Sequence, residues 1–207
     1  MLDETDLFIN LNTLVNLFLE NNRIARIKIR TFTGLFMLQS LRLSNNFITE
    51  IENSSFAHMK KLRIVDLKHN RLNKIENHTF KGLSNLVELY LDKNILEIIE
   101  SNSFFYLINL YTLSLNGNRI KYIDKTLFVN LNALNNLYLD NNEIETIEPN
   151  SFQDLLFLFK LSLTSNNIRS ITNSTFVGLT TLRYLFLEHN RIEFIDSARD
   201  TFAFGLA

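Results

Sequence analysis

Residues 134–157 read LNNLYLDNNEIETIEPNSFQDLLF and are one copy of a unit that fills almost the whole chain. The unit follows the pattern L-x-x-L-x-L-x-x-N-x-I-x-x-I-x-x-x-x-F-x-x-L-x-x. It recurs eight times from Leu14, at a fixed spacing of 24 residues. We number positions from the first leucine of each repeat. A fixed period of this length indicates a solenoid, in which the repeats stack in a line.

The alternating leucines at positions 4 and 6 predict a short strand with one buried face. The apolar residues at positions 11, 14, 19 and 22 are spaced too irregularly for an amphipathic helix. They predict an irregular or 3-10 arc with its apolar side inward. One turn of chain cannot bury its own apolar face, whereas stacked turns can. We therefore expect a curved solenoid with a parallel sheet on its concave face, about 40 Å long at the usual strand spacing.

The recurring asparagine at position 9 follows the strand, where backbone groups lose their partners in the sheet. A buried amide side chain must be hydrogen-bonded, and it offers both donors and an acceptor to the backbone of the turn. The phenylalanine at position 19 is predicted to pack ring to ring near the convex side. The predicted structural ladder consists of Asn22, Asn46, Asn70, Asn94, Asn118, Asn142, Asn166 and Asn190.

Two stretches, LVELYLDKN at residues 86–94 and ITNSTFVGLTTL at residues 171–182, resemble the leucine-rich repeat family in its 24-residue extracellular form. Slit proteins, Toll receptors, the acid-labile subunit and neuronal leucine-rich adhesion proteins have similar repeats. The resemblance implies an α/β fold, a horseshoe-shaped solenoid with a parallel concave sheet and irregular or 3-10 convex arcs. It leaves the ligand open, because a fold does not determine a function.

The ends of the chain depart from the repeat. Residues 1–13 are interpreted as a partial N-terminal repeat, because Phe8 and Leu11 fit positions 19 and 22 of a repeat whose strand is missing. Residues 14–199 hold the eight repeats, and residues 200–207 form a degenerate end that begins where Asp200 replaces phenylalanine. Extracellular members of the family have cysteine-rich caps, and this chain has no cysteine. We expect a fragment of a longer protein, or else end segments that themselves cover the solenoid.

Composition limits the partners that the chain can be expected to bind. The net charge is −1 and the basic residues are dispersed, which argues against nucleic acid. The sequence contains no apolar run long enough to span a membrane. The first ten residues, MLDETDLFIN, lack the basic start and apolar stretch of a signal peptide. We expect a targeting segment outside this chain and an extracellular or cell-surface protein.

The predicted binding face is the outer side of the sheet, because residues at positions 3, 5 and 7 alternate with the core leucines. An aromatic residue at position 5 followed by an acid at position 7 recurs four times. Aromatic residues are favoured anchors in protein interfaces, and the acids suit a partner with basic residues. Packing between neighbouring strands is the alternative interpretation. The predicted ligand-binding residues are Phe18, Glu20, Arg42, Asp66, Tyr90, Asp92, Tyr138, Asp140, Phe186 and Glu188.

No group of residues in the sequence predicts catalysis, a metal or a cofactor. His69 and His189 both occupy position 8, but five repeats separate them by roughly 24 Å, too far to share a metal. The chain has no cysteine, no H-E-x-x-H, no phosphate-binding glycine loop and no G-x-S-x-G. Acid pairs such as Asp92 and Asp140 lie on an open face, without the enclosure that tunes a pKa.

The sequence therefore favours a non-enzymatic recognition scaffold. The leading interpretation is the ectodomain, or part of one, of an extracellular or cell-surface protein in adhesion, guidance or innate immune recognition. It would bind a protein ligand on its concave face. A secreted protein that organises the extracellular matrix is the first alternative, and a cytosolic adaptor is the second. A recognition arm fused to an enzyme domain outside this chain is a further alternative.

Three N-x-[S/T] sequons fall at the same place in their repeats, with asparagine at position 16 and the hydroxyl residue at position 18. Their asparagines are Asn53, Asn77 and Asn173. Glycans there would coat the convex side and leave the concave face open. The alternative is that the two positions favour these residue types for the chemistry of the turn.

We predict that Asn53, Asn77 and Asn173 are glycosylated in the protein made by a secretory pathway. Glycopeptide mapping of the native protein measures this directly. The hypothesis fails when all three asparagines are found without sugar.

Overall fold

The computed structural model describes residues 7–196, and the predictions for residues 1–6 and 197–207, Asp200 included, lie outside this range. Each of the eight repeats contributes one strand at positions 3 to 5 and a second, shorter pairing segment further along. The strands are β1 (Asn16–Phe18), β2 (Arg26–Ile27), β3 (Ser40–Arg42), β4 (Glu50–Ile51), β5 (Ile64–Asp66), β6 (Lys74–Ile75), β7 (Glu88–Tyr90), β8 (Ile98–Ile99), β9 (Thr112–Ser114), β10 (Tyr122–Ile123), β11 (Asn136–Tyr138), β12 (Thr146–Ile147), β13 (Lys160–Ser162), β14 (Ser170–Thr172), β15 (Tyr184–Phe186) and β16 (Phe194–Asp196).

The odd-numbered strands form one eight-stranded parallel sheet in sequence order. Each residue pairs with the residue 24 positions later, as Leu17 pairs with Leu41 and Leu137 with Leu161. This register places every position-4 side chain on one side, where Leu41, Leu137 and Leu161 are completely buried. Positions 3 and 5 point to the opposite side because side chains alternate along a strand. The predicted solenoid with its parallel concave sheet is confirmed.

The convex side differs in detail from the expected arcs. Four two-stranded pairings join neighbouring repeats there, β2 with β4, β6 with β8, β10 with β12 and β14 with β16. The remaining arcs are turns, and residues 7–196 contain neither α-helix nor 3-10 helix. Their hydrogen bonds span three residues but do not start at consecutive residues, as in Leu35 N–H to Phe32 O and Leu38 N–H to Leu35 O. A 3-10 helix needs consecutive bonds of this kind, so these arcs remain separate turns.

Within residues 7–196, no helix is long and apolar enough to cross a membrane.

The position-9 asparagines connect each repeat to the next. Asn118 Nδ2 donates to Leu115 O at 2.9 Å in its own repeat and to Leu91 O at 3.0 Å in the preceding one. Its Oδ1 accepts the backbone N–H of Leu96 at 3.0 Å. Leu91 O also accepts from Asn94, so one carbonyl joins two successive amides. The same pattern recurs from Asn46 to Asn166 and satisfies backbone groups that have left the sheet.

The turn after each strand has a left-handed residue at position 8. The φ angles in the eight repeats lie between 52° and 66°. This conformation is most favourable for glycine. Asparagine is the next best, because its short polar side chain tolerates it. The residues found there are Asn21, Asn45, His69, Lys93, Gly117, Asn141, Ser165 and His189. Glycine is required more strictly at Gly178 in the convex arc, because φ is +94° and a Cβ would lie 2.4 Å from Gln153 O.

The phenylalanines at position 19 form two stacks inside the convex side. Neighbouring rings from Phe8 to Phe104 and from Phe128 to Phe176 lie 5.7 to 6.3 Å apart, with interplanar angles of 8° to 20°. The stacking is interrupted between Phe104 and Phe128, in the repeat where buried Leu127 replaces a hydroxyl residue at position 18. The rings from Phe32 to Phe152 fill the core rather than a surface, so they are unavailable to a ligand, whereas the end rings Phe8 and Phe176 are partly buried.

We expect Asn118→Ala to lower the free energy of unfolding by about 1–3 kcal/mol, because it leaves the buried backbone N–H of Leu96 without a partner. The carbonyl of Leu91 keeps Asn94 as a donor, so the loss of stability comes mainly from the unpaired backbone N–H of Leu96. Urea denaturation of the two proteins measures the difference.

The matched control is Asn22→Ala, at the exposed first position of the same ladder. Among residues 7–196, its amide donates only within its own turn, to Leu19 O and Glu20 O. A loss below about 0.5 kcal/mol is expected there. Equal losses at Asn22 and Asn118 would contradict a ladder that works by satisfying buried backbone.

Candidate functional site

The register of the sheet brings the predicted binding residues into two rows on one open face. Position 5 supplies Phe18, Arg42, Asp66, Tyr90, Ser114, Tyr138, Ser162 and Phe186, one per strand. Position 7, just after each strand, supplies the second row. Neighbouring strands are about 4.8 Å apart, so residues of one row two repeats apart are separated by about 10 Å. Successive aromatic residues of the row therefore lie too far apart to touch, except where another side chain bridges them.

Basic side chains cover the aromatic rings of this face. Lys68 Nζ lies 3.9 Å from the centre of the Tyr90 ring. Lys160 Nζ lies between two rings, 5.0 Å from Tyr138 and 5.1 Å from Phe186. Each ring thus has a cation at a distance at which the negative face of an aromatic ring attracts it. Lys68 and Lys160 were not among the predicted binding residues. The signal that identifies them is a lysine at position 7 or 3 of a repeat whose neighbour has an aromatic residue at position 5.

The first predicted pair, Phe18 and Glu20, lies at the end of the sheet. Phe18 is 58% exposed, and the guanidinium of Arg42 lies 5.2 Å from its ring centre. Arg42 also lies 4.0 Å from the Glu20 carboxylate. Arg42, on the neighbouring strand, therefore contacts both residues of the pair. All three side chains are exposed or only partly buried.

The central acids are used within the solenoid rather than left free. Asp92 is buried, and its Oδ1 accepts a hydrogen bond from the Ser114 hydroxyl of the next repeat. Its Oδ2 is buried without a hydrogen-bond partner among residues 7–196. Asp140 Oδ1 accepts from the Ser162 hydroxyl and from Thr164 N–H at 3.0 Å. Asp92 and Asp140 therefore tie neighbouring strands together, and buried Asp92 presents little carboxylate to a ligand, whereas Asp140 is only partly buried.

Tyr90 lies among acids at the centre of the face. Its hydroxyl donates to Glu88 Oε2 at 2.9 Å, and its register partner in the preceding strand is Asp66. Burial raises the pKa of Tyr90 to about 12, and the Glu88 carboxylate acts in the same direction. Tyr90 is therefore neutral at physiological pH and keeps its hydroxyl proton. Glu88 was absent from the predicted set because position 3 showed no recurring residue type.

Glu188 closes the row of acids in the last repeat. Its carboxylate accepts a hydrogen bond from the Thr164 hydroxyl at 3.0 Å. Hydrogen bonding by its own backbone N–H, and then by Thr164, lowers the pKa of Glu188. In the same repeat Tyr184 stacks on Phe186 with 6.5 Å between ring centres and meets Phe159 edge-on at 5.2 Å. The last two repeats thus hold the largest exposed aromatic cluster of the face.

The asparagines of the three sequons are exposed, whereas their hydroxyl residues Ser55, Thr79 and Thr175 are buried. The hydroxyls bond to the backbone of the turn, as Thr175 Oγ1 accepts from Thr172 N–H at 2.9 Å. Buried Ser103 occupies the same position outside any sequon, and its hydroxyl also bonds to the backbone of the turn, donating to Glu100 O at 2.5 Å. The position-18 hydroxyl therefore has a structural role whether or not a sugar is attached.

Residues 7–196 hold no cluster of histidine, aspartate or glutamate that could bind a metal ion. His69 and His189, which were predicted to lie far apart, are both in turns at the edge of the face. Each has a left-handed backbone. The geometry offers an open recognition surface with charged and aromatic side chains rather than an enclosed reaction site.

We expect Asp92→Asn to raise the free energy of unfolding by about 1 kcal/mol at neutral pH, because it removes a buried charge whose Oδ2 has no donor. The matched control, Asp140→Asn, should lower it by about 1 kcal/mol, because a backbone N–H loses a charged acceptor. Thermal denaturation of both variants against the parent tests this. A loss at Asp92 as large as that at Asp140 would contradict the assignment.

Two solved structures show what this chain is similar to. The Toll–Spatzle complex of Drosophila, in its glycosylated form, matches 87% of this chain with 30% identity and a TM-score of 0.79. The TLR13–ssRNA13 complex matches 88% of the chain with 25% identity and a TM-score of 0.69. The chain spans only 26% of the length of the first protein and 34% of the second. A search of curated proteins finds no match to the sequence.

A sequence profile described as leucine rich repeat matches residues 12–72, 60–120, 108–163 and 157–200. These overlapping segments cover nearly the whole chain and agree with the register of the parallel sheet. The protein therefore belongs to the leucine-rich repeat family.

Proposed function

We propose that the chain is a non-enzymatic recognition scaffold that binds a protein ligand on the concave face of its sheet. The observation that carries the proposal is the row of partly exposed aromatic rings at position 5, each with a basic side chain over it. Open faces with aromatic anchors and charged neighbours are the usual composition of protein interfaces. The face lacks the enclosure that a reaction site would need.

The two clusters that carry this role are the central one around Tyr90 and the C-terminal one around Tyr138 and Phe186. Lys68 and Lys160 hold the rings in place, so less conformational freedom is lost when a partner binds. A partner with both apolar and basic side chains fits best, because the face contains more acids than bases. Asp92 contributes by fixing the strands, since its carboxylate is already occupied or buried.

A protein ligand fits this face better than a nucleic acid. Positions 3, 5 and 7 hold six acids against three bases, and each of the three bases already lies over a ring. Nucleic acid binding depends on unpaired cations that neutralise phosphates. One similar structure is a complex with a protein, Spatzle, and the other a complex with ssRNA13, so the fold itself is compatible with either ligand.

The full protein is proposed to be an extracellular or cell-surface receptor in adhesion, guidance or innate immune recognition. The repeat type and the exposed sequon asparagines support this location. A secreted matrix-organising protein shares the same repeats and remains the alternative, and a cytosolic adaptor is favoured less because of the sequons. The two extracellular hypotheses differ in whether a membrane anchor accompanies the repeats in the full-length protein.

We expect the double variant Tyr90→Ala/Tyr138→Ala to bind its partner at least about tenfold more weakly, because it removes two aromatic anchors from the face. The partner is identified by screening the tagged, secreted chain against an array of purified secreted and cell-surface proteins. Surface plasmon resonance then compares the affinities of the parent and variant for that protein.

Secretion yield and melting temperature show that the variant is folded. The matched control is Tyr106→Ala/Tyr122→Ala, which removes two tyrosines outside the concave face, and its affinity should equal that of the parent. Unchanged affinity of Tyr90→Ala/Tyr138→Ala would place the binding site elsewhere on the protein.

A further inference from the structure

One flank of the solenoid carries no acidic residue. It is the edge where the chain enters each strand. It consists of positions 23 and 24 of one repeat and position 2 of the next. The first such set is residues 36, 37 and 39, the last is residues 180, 181 and 183, and the sets recur every 24 residues. We name it the acid-free flank. Acids are frequent elsewhere, including six at positions 3, 5 and 7 of the concave face. The flank therefore has a positive character that the net charge of the chain conceals.

The flank contains a groove of about 600 Å³ across four consecutive repeats. Two cations, three amides and one aromatic ring line most of it. They are Gln39, Lys61, Arg63, Asn85, Asn109 and Tyr111. The groove is thus distinct from the concave face. The aromatic row of that face is at position 5, three residues after position 2 of the groove in each repeat.

The cations of the groove are available to a ligand. Neither Lys61 nor Arg63 has an acidic or aromatic partner within residues 7–196, and both are exposed. Elsewhere on the solenoid, by contrast, Lys74 Nζ lies 2.6 Å from Glu100 and Arg119 lies 3.2 Å from Glu97. Two unpaired cations side by side, with no acid on their flank, favour an anionic partner.

The walls of the groove are held by the backbone. Each position-2 carbonyl accepts two N–H groups from the next repeat, as Gln39 O accepts from Arg63 at 2.8 Å and from Ile64 at 3.0 Å. The amides are fixed as well, since Asn85 Nδ2 donates to Lys60 O and Asn109 Nδ2 donates to Ser84 O, both at 2.8 Å. A ligand would therefore meet a surface that is already ordered, which lowers the cost of binding.

Apolar side chains continue the groove at its C-terminal end. Tyr111 is 48% exposed and Ile108 is 44% exposed, and both face solvent on the same flank. A ligand that carried charge alone would leave this part uncovered. The surface therefore fits a ligand with acidic groups at one end and an apolar group at the other, which a short extended peptide can present when it lies along an edge.

We propose that the acid-free flank is a second docking surface, which takes an extended acidic segment of a protein partner into the groove at Lys61, Arg63 and Tyr111. The groove crosses three strand spacings, or about 14 Å, which corresponds to about four residues of extended chain. The acidic side chains of the bound segment contact Lys61 and Arg63, and its apolar side chain contacts Tyr111. The site is independent of the concave aromatic row.

A nucleic acid is the rival occupant, and the charges favour the peptide. Lys60, Lys61 and Arg63 form one local group, and the next cation on the flank is Arg183, five repeats away from Arg63. Phosphate binding gains strength with each cation that tracks the backbone, and three in one place neutralise few phosphates.

The test uses the intact chain and a fluorescein-labelled peptide in which two glutamates are followed by two leucines, with binding followed by fluorescence anisotropy. We expect Lys61→Glu/Arg63→Glu to weaken binding at least about tenfold and added salt to weaken binding to the parent. Tyr111→Ala should weaken it by a smaller factor. The concave variant Tyr90→Ala/Tyr138→Ala should bind the peptide as the parent does.

The matched control is Arg169→Glu/Arg191→Glu, which makes the same change in net charge on the opposite flank, where both side chains are exposed. Its affinity should stay near that of the parent. The proposal is overturned when the parent shows no binding, when both charge-reversal variants lose affinity equally, or when a poly-uridine RNA binds more tightly than the peptide through Lys61 and Arg63. Circular dichroism spectra and melting temperatures establish that each variant is folded.

Discussion

The structure depends on one constraint: backbone groups that leave a sheet inside a packed core must still find hydrogen-bond partners. Each repeat ends its strand inside the solenoid, and the position-9 asparagine supplies the missing partners. Because Leu91 O accepts from both Asn94 and Asn118, the amides connect repeats as well as satisfy them. The left-handed residue at position 8 turns the chain so that the amide can reach those groups. Stacking can then continue without change from repeat to repeat.

A core that repeats in this way leaves the outer positions free to vary. The leucines at position 4 are interchangeable between repeats, whereas positions 3, 5 and 7 hold aromatic, acidic, basic and small residues. The same freedom produces two surfaces with different charge on one frame. The concave face is acidic with aromatic rings covered by cations, and the acid-free flank is basic with exposed apolar groups. In the proposed function, these two surfaces of opposite charge would contact two different parts of a partner.

The contacts between repeats on these surfaces were harder to predict from the sequence. Lys160 reaches both Tyr138 and Phe186, one repeat to either side, and a pattern read within single repeats does not contain that relation. Asp92 and Asp140 looked alike in the sequence, yet Asp140 has a backbone donor and Asp92 has a buried oxygen without one. Residue type alone does not specify this difference.

The sequence by itself determined the repeat length, the strand positions to within one residue, the side of the sheet that is buried and the sites of the asparagines and phenylalanines. It did so because a period of 24 residues combined with alternating leucines permits only one way to bury every apolar face. Only the tertiary structure decided that the convex arcs are separate turns, that the stack of rings breaks after Phe104, and which cations lie over rings and which remain unpaired. These features depend on side-chain lengths and distances between neighbouring repeats, and such distances exist only once the turns have stacked.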